Sequence, residues 1–242
     1  MKNKTEWFQN WFDTPYYHLL YDHRNEEEAE FFMRMLIQFL KLKNGDKVLD
    51  LPCGKGRHAR FLNAQGFDVV GADLSNNSIN AAKIFENDKL KFRIHDMRDP
   101  LIGRYNAIFN LFTSFGYFNE EKTNLNVLQH FKNALLPNGH IVIDFLNINK
   151  VKSELVPETT ISKNDIYFNI KKYIENDFLI KEISFEIQGE KHNYMEKLQC
   201  LDLKKMSDIA KSTNLKVKYV FGDYNLSAFN EQESDRLILI LR

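Results

Sequence analysis

The sequence predicts an α/β protein: a doubly wound, mostly parallel sheet with an antiparallel hairpin inserted after the fifth strand. Three observations carry that expectation. Between residues 26 and 145, short apolar runs alternate with stretches whose apolar residues recur at i, i+3 and i+4. The first two runs each end in an acid, Asp50 and Asp73, and the first opens onto a tight loop, Pro52-Cys53-Gly54-Lys55-Gly56. After Asn147 the apolar period falls to two, the signature of antiparallel pairing.

Each element follows from local pattern. Ala29, Phe32, Met33, Leu36, Phe39 and Leu40 form one apolar stripe over residues 26–42, and Glu26, Glu27 and Glu28 favour the positive end of that helix. Val48–Leu51 reads as a buried strand, Arg57–Gln65 as a helix ended by Gly66, and Phe67–Ala72 as a second strand. Ser75 caps the next helix. Leu90, Phe92 and Ile94 mark a third strand and Asn106–Phe112 a fourth, while Leu125, Leu128, Phe131 and Leu135 are spaced as a helix. Pro137-Asn138-Gly139 is expected to end that helix before a fifth strand, Ile141–Phe145. Ile166, Phe168 and Ile170 mirror Ile183, Phe185 and Ile187 across an Asn176-Asp177 turn, which predicts a hairpin. A helix bearing Leu203, Met206 and Ile209 then returns the chain to two last strands, Leu215–Phe221 and Arg236–Leu241.

A single domain over 1–242 is expected, made of an N-terminal helical lid (1–42), a cofactor-binding core (43–150), an antiparallel insertion (151–200) and a C-terminal helix with the last two strands (201–242). The 242 residues carry 33 basic and 33 acidic side chains, so no global field draws the protein to nucleic acid or an anionic membrane. The apolar runs are far too short to cross a bilayer, and a cytoplasmic monomer or homodimer is expected. Cys53 and Cys200 are too few and too distant for a disulfide framework or a metal site, so both are expected to be free thiols and no metal is implied.

The chemistry gathers at the strand ends. Gly54 and Gly56 let backbone approach a ligand at a helix N-terminus, and a carboxylate at Asp73 can accept from both hydroxyls of a ribose. A pyrophosphate loop would place a glycine where Pro52 stands, whereas a ligand with an amino-acid tail needs fewer amides and tolerates an acid nearby.

With these features the chain resembles the class I S-adenosylmethionine-dependent methyltransferase family, most closely over about residues 45–147. The resemblance implies a Rossmann-like methyltransferase fold with S-adenosylmethionine as cofactor. It places Val48–Gly56 on the family's glycine loop with Pro52 at the first glycine, Asp73 and the adjoining Leu74 at the ribose, and Asp96 with the Met97 amide at the adenine. It also matches Phe109–Gly116 after the fourth strand and Leu136–Gly139 before the fifth. Asp50 either contacts the methionine end of the cofactor or braces the loop, Cys53 presents backbone, and Asn110 either touches the cofactor or caps a turn. Related bacterial methyltransferases of unassigned substrate share the pattern Tyr17, Tyr21, Arg24, Glu28-Ala29, so Tyr21 or Arg24 is a candidate for the cofactor carboxylate.

The aromatic run Trp7, Phe8, Trp11, Phe12, Tyr16, Tyr17 and Tyr21 suits an active-site lid, with packing over the sheet edge as the alternative. His18 and Tyr117 are the catalytic candidates. Tyr17, His18, Tyr117 and Tyr224 are the acceptor-side candidates, with Asp144 and His192 as further polar groups. No Asn-Pro-Pro-Tyr-type segment follows the fourth strand, which argues for a small-molecule or peptide acceptor, methylated at nitrogen or oxygen, over a nucleic acid. A nicotinamide oxidoreductase and a non-catalytic adenosyl-ligand binder are the alternatives.

Overall fold

The computed structural model describes residues 6–21 and 26–242. Two short helices, α1 (Trp7–Trp11) and α2 (Pro15–Leu20), precede the amphipathic α3 (Glu26–Leu40). There follow β1 (Lys47–Asp50), α4 (Arg57–Ala64), β2 (Asp68–Asp73), α5 (Asn76–Lys83), β3 (Leu90–Ile94), β4 (Tyr105–Asn110), α6 (Glu121–Asn133) and β5 (Leu135–Leu146). Next come α7 (Ile148–Ser153), β6 (Glu158–Lys163), β7 (Ile166–Glu175), β8 (Phe178–Ile187) and β9 (Glu190–Gln199). The chain closes with α8 (Leu203–Ser212), β10 (Val217–Phe221) and β11 (Arg236–Leu241).

The main sheet has seven strands in the order β10-β11-β5-β4-β1-β2-β3. The strands from β3 to β5 pair in parallel, and β11 runs antiparallel to both β5 and β10. Successive side chains of a strand point to opposite faces, so a strand covered on both sides must be apolar throughout. Val48, Val69, Phe109, Val142, Ile238 and Ile240 accordingly pack with Phe32, Leu36, Leu62 and Ile79 of α3, α4 and α5. Leu49, Ile108, Ile141, Ile143, Phe145, Leu237 and Leu239 pack on the other face, with Val127, Phe131, Met206 and Ile209 of α6 and α8. The crossing order places the C-terminal ends of β1, β2, β3 and β4 along one rim, where an open α/β sheet binds its ligand.

The structure extends one expectation and corrects another. The hairpin is the central pair of a four-stranded antiparallel sheet, β6-β7-β8-β9. Its outer strands, with sequences ETTISK and EKHNYMEKLQ, carry too few aliphatic residues to display the period-two pattern. The turns mark these strands instead: Asn164-Asp165, Asn176-Asp177 and Gln188-Gly189 all have positive φ at both residues, the geometry of a two-residue hairpin turn. The segment Pro137-Asn138-Gly139 lies within β5 and does not precede it: pairing with β4 starts at Leu135, shifts register, and resumes at His140, with Asn138 at φ 68°.

Among the described residues, one face of the antiparallel sheet carries its apolar cluster with the N-terminal helices. Phe168, Ile170, Ile183 and Phe185 bury themselves against Trp11 and Leu20, which joins the insertion to α1 and α2. Among the described residues, no helix is long and apolar enough to cross a membrane.

Candidate functional site

The loop after β1 is held almost entirely by backbone. The Leu51 amide donates to the Phe109 carbonyl (2.9 Å), the Cys53 amide to the Ala72 carbonyl (2.8 Å) and the Gly56 amide to the Cys53 carbonyl (2.9 Å). The Leu51-Pro52 peptide is cis. Gly56, at φ 82°, caps α4, and a Cβ there would lie 2.6 Å from the Phe92 ring, so only glycine fits. Gly54 has open space where its Cβ would be, because it faces a cavity.

That cavity, about 1050 Å³, lies along the rim formed by the strand ends. Asp73 at the end of β2 takes the Gly54 amide on one carboxylate oxygen (2.8 Å) and the Ser75 amide on the other (2.9 Å). Burial pushes its pKa up while those amides pull it down, with a net rise. Asp96, beyond β3, is gripped by Arg98, whose Nε lies 3.0 Å from both of its oxygens. Burial opposes its charge, but the Arg98 hydrogen bonds outweigh burial and hold it below the usual carboxylate range. Arg98 also reaches Glu6 at 2.7 Å, and its guanidinium lies over the Phe8 and Phe118 rings.

The N-terminal helices form the opposite wall, through Phe8, Phe12, Asp13, Tyr17, His18 and Tyr21. Asp13 ties this wall to the start of α5, accepting from the Ser75 hydroxyl and from Asn77 Nδ2 (2.7 Å). His18 is driven toward its neutral form by burial and by Lys55, against the opposing pull of Asp13. Tyr117 packs edge-on to Trp7 (5.2 Å) and against Phe12 (5.3 Å).

The structure thus brings Tyr17, His18, Tyr21, Cys53, Gly54, Asp73, Leu74, Asp96, Met97 and Tyr117 to one cavity. Arg24 lies outside the described residues. Asp50, Gly56 and Asn110 sit behind the cavity wall. Asp50 is fully buried, its Oδ2 has no hydrogen-bond partner, and burial raises its pKa to about 8. Asn110 is also fully buried, and its side-chain amide donates to the Leu51 carbonyl (2.8 Å), so it braces the loop.

Tyr224, Asp144 and His192 do not line the cavity. Asp144 is buried in an ion pair with Arg236 (2.7 Å) and takes the Phe112 amide (2.8 Å), while Arg236 also donates to Thr113 (2.9 Å). Tyr224 packs on Phe32 (4.4 Å) with its hydroxyl toward Asp144. This group fixes the turn at Phe112 and Thr113, both at positive φ, and so presents Phe112 to the cavity. His192 stacks on Phe185 (5.0 Å) inside the antiparallel sheet. The Tyr21 hydroxyl is also engaged away from the cavity: it donates to Glu196 Oε1 (2.7 Å) and contacts Lys181.

Several participants escaped sequence reasoning. Asp13 and Ser75 meet across 62 residues and leave no local signal. Arg98, two residues after Asp96, could have been read as its partner. His58, which also lines the cavity, is driven down to about 3 by burial and by Arg57, and is therefore neutral.

The residues fit an adenosyl ligand with an amino-acid tail. Two carboxylates sit at separate strand ends, an open glycine donates its amide to the first of them, and the buried Asp50, with one oxygen unpartnered, ends the strand that leads into the loop. Fold and site together define a class I cofactor-binding α/β protein. The sequence profile of the methyltransferase domain matches residues 21–217, and the chain belongs to that S-adenosylmethionine-dependent family. A glycine/sarcosine N-methyltransferase of Halorhodospira halochloris is 34% identical over 139 residues, covering 54% of this chain and 50% of that protein. The chain therefore spans about half the length of the curated relatives it matches first. A crystal structure of a S-adenosylmethionine-dependent methyltransferase from Clostridium acetobutylicum matches with a TM-score of 0.80 at 16% identity, covering 94% of this chain and 95% of that one. Structurally similar too is SAM-bound CalS10, an amino pentose methyltransferase from Micromonospora echinaspora, with a TM-score of 0.70 at 15% identity over 94% of this chain and 96% of that one.

Proposed function

We propose that this protein transfers a methyl group from S-adenosylmethionine to the amine nitrogen of a small molecule. The observation that carries the choice of nitrogen is the wall facing the cofactor loops, where Phe12, Tyr17 and Tyr117 line the same cavity as an imidazole held toward neutrality, with Tyr17 edge-on to it at 5.5 Å. An amine acceptor arrives protonated near neutral pH, and the faces of Phe12, Tyr17 and Tyr117 attract such a cation. It must lose that proton to expose a lone pair, and neutral His18 is the group in the wall able to take it. The relatives named glycine/sarcosine N-methyltransferase support the same choice.

When bound, the cofactor supplies an electrophilic sulfonium methyl. Asp73 holds the ribose hydroxyls, Asp96 and the Met97 amide hold the adenine, and Leu74 covers the ribose edge. Gly54 and Cys53 present backbone to the methionine end, and the buried Asp50 carboxyl braces the loop from behind. Gly56 and Asn110 keep the loop in shape. Tyr17 and Tyr117 orient the acceptor, so the enzyme's contribution is alignment, desolvation and proton removal.

Two measurements test the reading in sequence. Calorimetry should detect S-adenosylmethionine and S-adenosylhomocysteine but not NAD; tight NAD binding alone would revive an oxidoreductase. Transfer from methyl-labelled cofactor to panels of small amines and hydroxy compounds should then label amines. Labelling confined to hydroxyls would overturn the choice of nitrogen, and binding without transfer to either panel would favour an adenosyl-ligand binder.

A further inference from the structure

Besides its apolar packing on α1 and α2, the insertion makes a polar contact with the N-terminal wall that centres on one side chain. Glu196, on β9, lies outside the cavity, yet its Oε1 accepts from Trp11 Nε1 at the end of α1 (2.8 Å) and from the hydroxyl of Tyr21, which closes α2 (2.7 Å). Its other oxygen faces Lys181 of β8 at 3.8 Å, and the Lys181 ammonium sits 4.5 Å above the centre of the Tyr21 ring. Lys181 and Glu196 are cross-strand partners, so the pair is built into the sheet register. Both side chains are largely buried, at 17% and 20% exposed. Charge-assisted hydrogen bonds in such surroundings are strong and directional.

From Tyr21 the contact passes inward. Its ring packs on Tyr17 (4.9 Å), Tyr17 on Phe12 (4.8 Å), and Phe12 on Tyr117 (5.3 Å), so the aromatic wall is continuous with the Glu196 anchor. Tyr17 also meets the Trp11 ring (5.7 Å), which lies against Tyr194 of β9 (4.6 Å). We propose that Glu196 is a positioning residue: one carboxylate oxygen seats both N-terminal helices over the cavity, and the antiparallel sheet thereby sets how long the site stays closed around its ligands. The proposal rests on reading the cavity as the cofactor site.

The test uses the full chain loaded with tritiated S-adenosylmethionine, chased with excess unlabelled S-adenosylhomocysteine, with retained label followed by rapid filtration. Glu196→Ala should release label about tenfold faster than wild type, as expected for losing hydrogen bonds to a charged group. Glu196→Gln, which keeps an acceptor oxygen for Trp11 and Tyr21, should restore most of the slow release; a merely structural role would affect melting without this pattern. Release from Glu196→Ala within about twofold of wild type, whatever its melting temperature, overturns the proposal. Should Glu196→Ala not fold, Tyr21→Phe removes the hydroxyl that donates to Glu196 and accepts from Lys181 and should speed release roughly threefold; unchanged release there overturns it equally. Wild-type protein that retains no label at all would sink the cofactor reading and the anchor with it, an outcome distinct from equal release by wild type and variant. The chain's only two tryptophans, Trp7 and Trp11, both lie in α1, so their fluorescence gives an independent record of the same motion.

Discussion

The two sheets of this protein use opposite means to shape one cavity. The seven-stranded sheet is buried on both faces, and its strand ends present ligand-facing groups on backbone tied by hydrogen bonds between neighbouring strands and loops. Among the described residues, the four-stranded sheet packs one face against α1 and α2, and it reaches the cavity indirectly, through those helices and a few polar ties. A rigid support suits groups that must recognise one invariant cofactor. A one-sided sheet that leans on short helices suits a wall that opens and takes different acceptors on the same core.

The sharpest way to break the comparison is at the Asp144–Arg236 pair, the polar group inside the seven-stranded sheet. Arg236→Met strands a buried carboxylate and should cost about 3–5 kcal/mol in urea denaturation. A loss below about 1 kcal/mol would mean that the turn at Phe112 is held by packing alone. Next comes Asp73→Ala. Its carboxylate organises the Gly54 and Ser75 amides and is assigned the ribose, so calorimetry should find cofactor affinity reduced roughly a hundredfold with the fold retained.

Asp50→Asn should produce a smaller, pH-dependent effect. Burial raises the folded pKa from 3.8 to about 8, so the folded state binds a proton that the unfolded state releases. The stabilising contribution is therefore present below about pH 4 and is lost as pH rises toward 8. The uncharged variant should gain on the order of 1–3 kcal/mol over wild type at pH 8–9 and nothing near pH 4 in denaturation series, while losing about tenfold in cofactor affinity. The mildest change is Tyr167→Thr, on the open face of the four-stranded sheet where the side chain is 64% exposed. It should alter stability by less than about 0.5 kcal/mol, whereas Phe168→Ala, one residue on and fully buried, should cost about 3–5 kcal/mol. Equal costs at the two positions would show that both faces of that sheet are covered in solution.

Legibility in the sequence follows the same division. Asp73, Asp96, Gly54 and Met97 could be placed because each lies within a few residues of a strand end whose apolar pattern is unmistakable, and all of them line the cavity. Asp50 and Asn110 could be placed at strand ends but not on one side or the other of the cavity wall, since that depends on how tightly the loop folds over them. On the acceptor side, Tyr17, His18 and Tyr117 reach the cavity while Tyr224, Asp144 and His192 do not. Nothing local separates the two groups: a polar residue at a strand end looks alike whether it faces a ligand or neutralises Arg236. The four-stranded sheet was half legible, because its central strands are aliphatic and its outer strands are polar, although the Asn-Asp pair at 164 and 165 repeats the turn signal at 176 and 177.

By itself the sequence determined the parallel sheet, its crossovers and the acids at its strand ends, because periodicity and glycine placement are local properties that backbone geometry reads directly. Only the tertiary structure decided that Asp13 meets Ser75, that Arg98 joins Asp96 to Glu6, and that Glu196 holds Trp11 and Tyr21. Those contacts join segments separated by tens to well over a hundred residues. Their geometry is set by how two independently patterned sheets pack around a shared pair of helices, and no spacing along the chain encodes that.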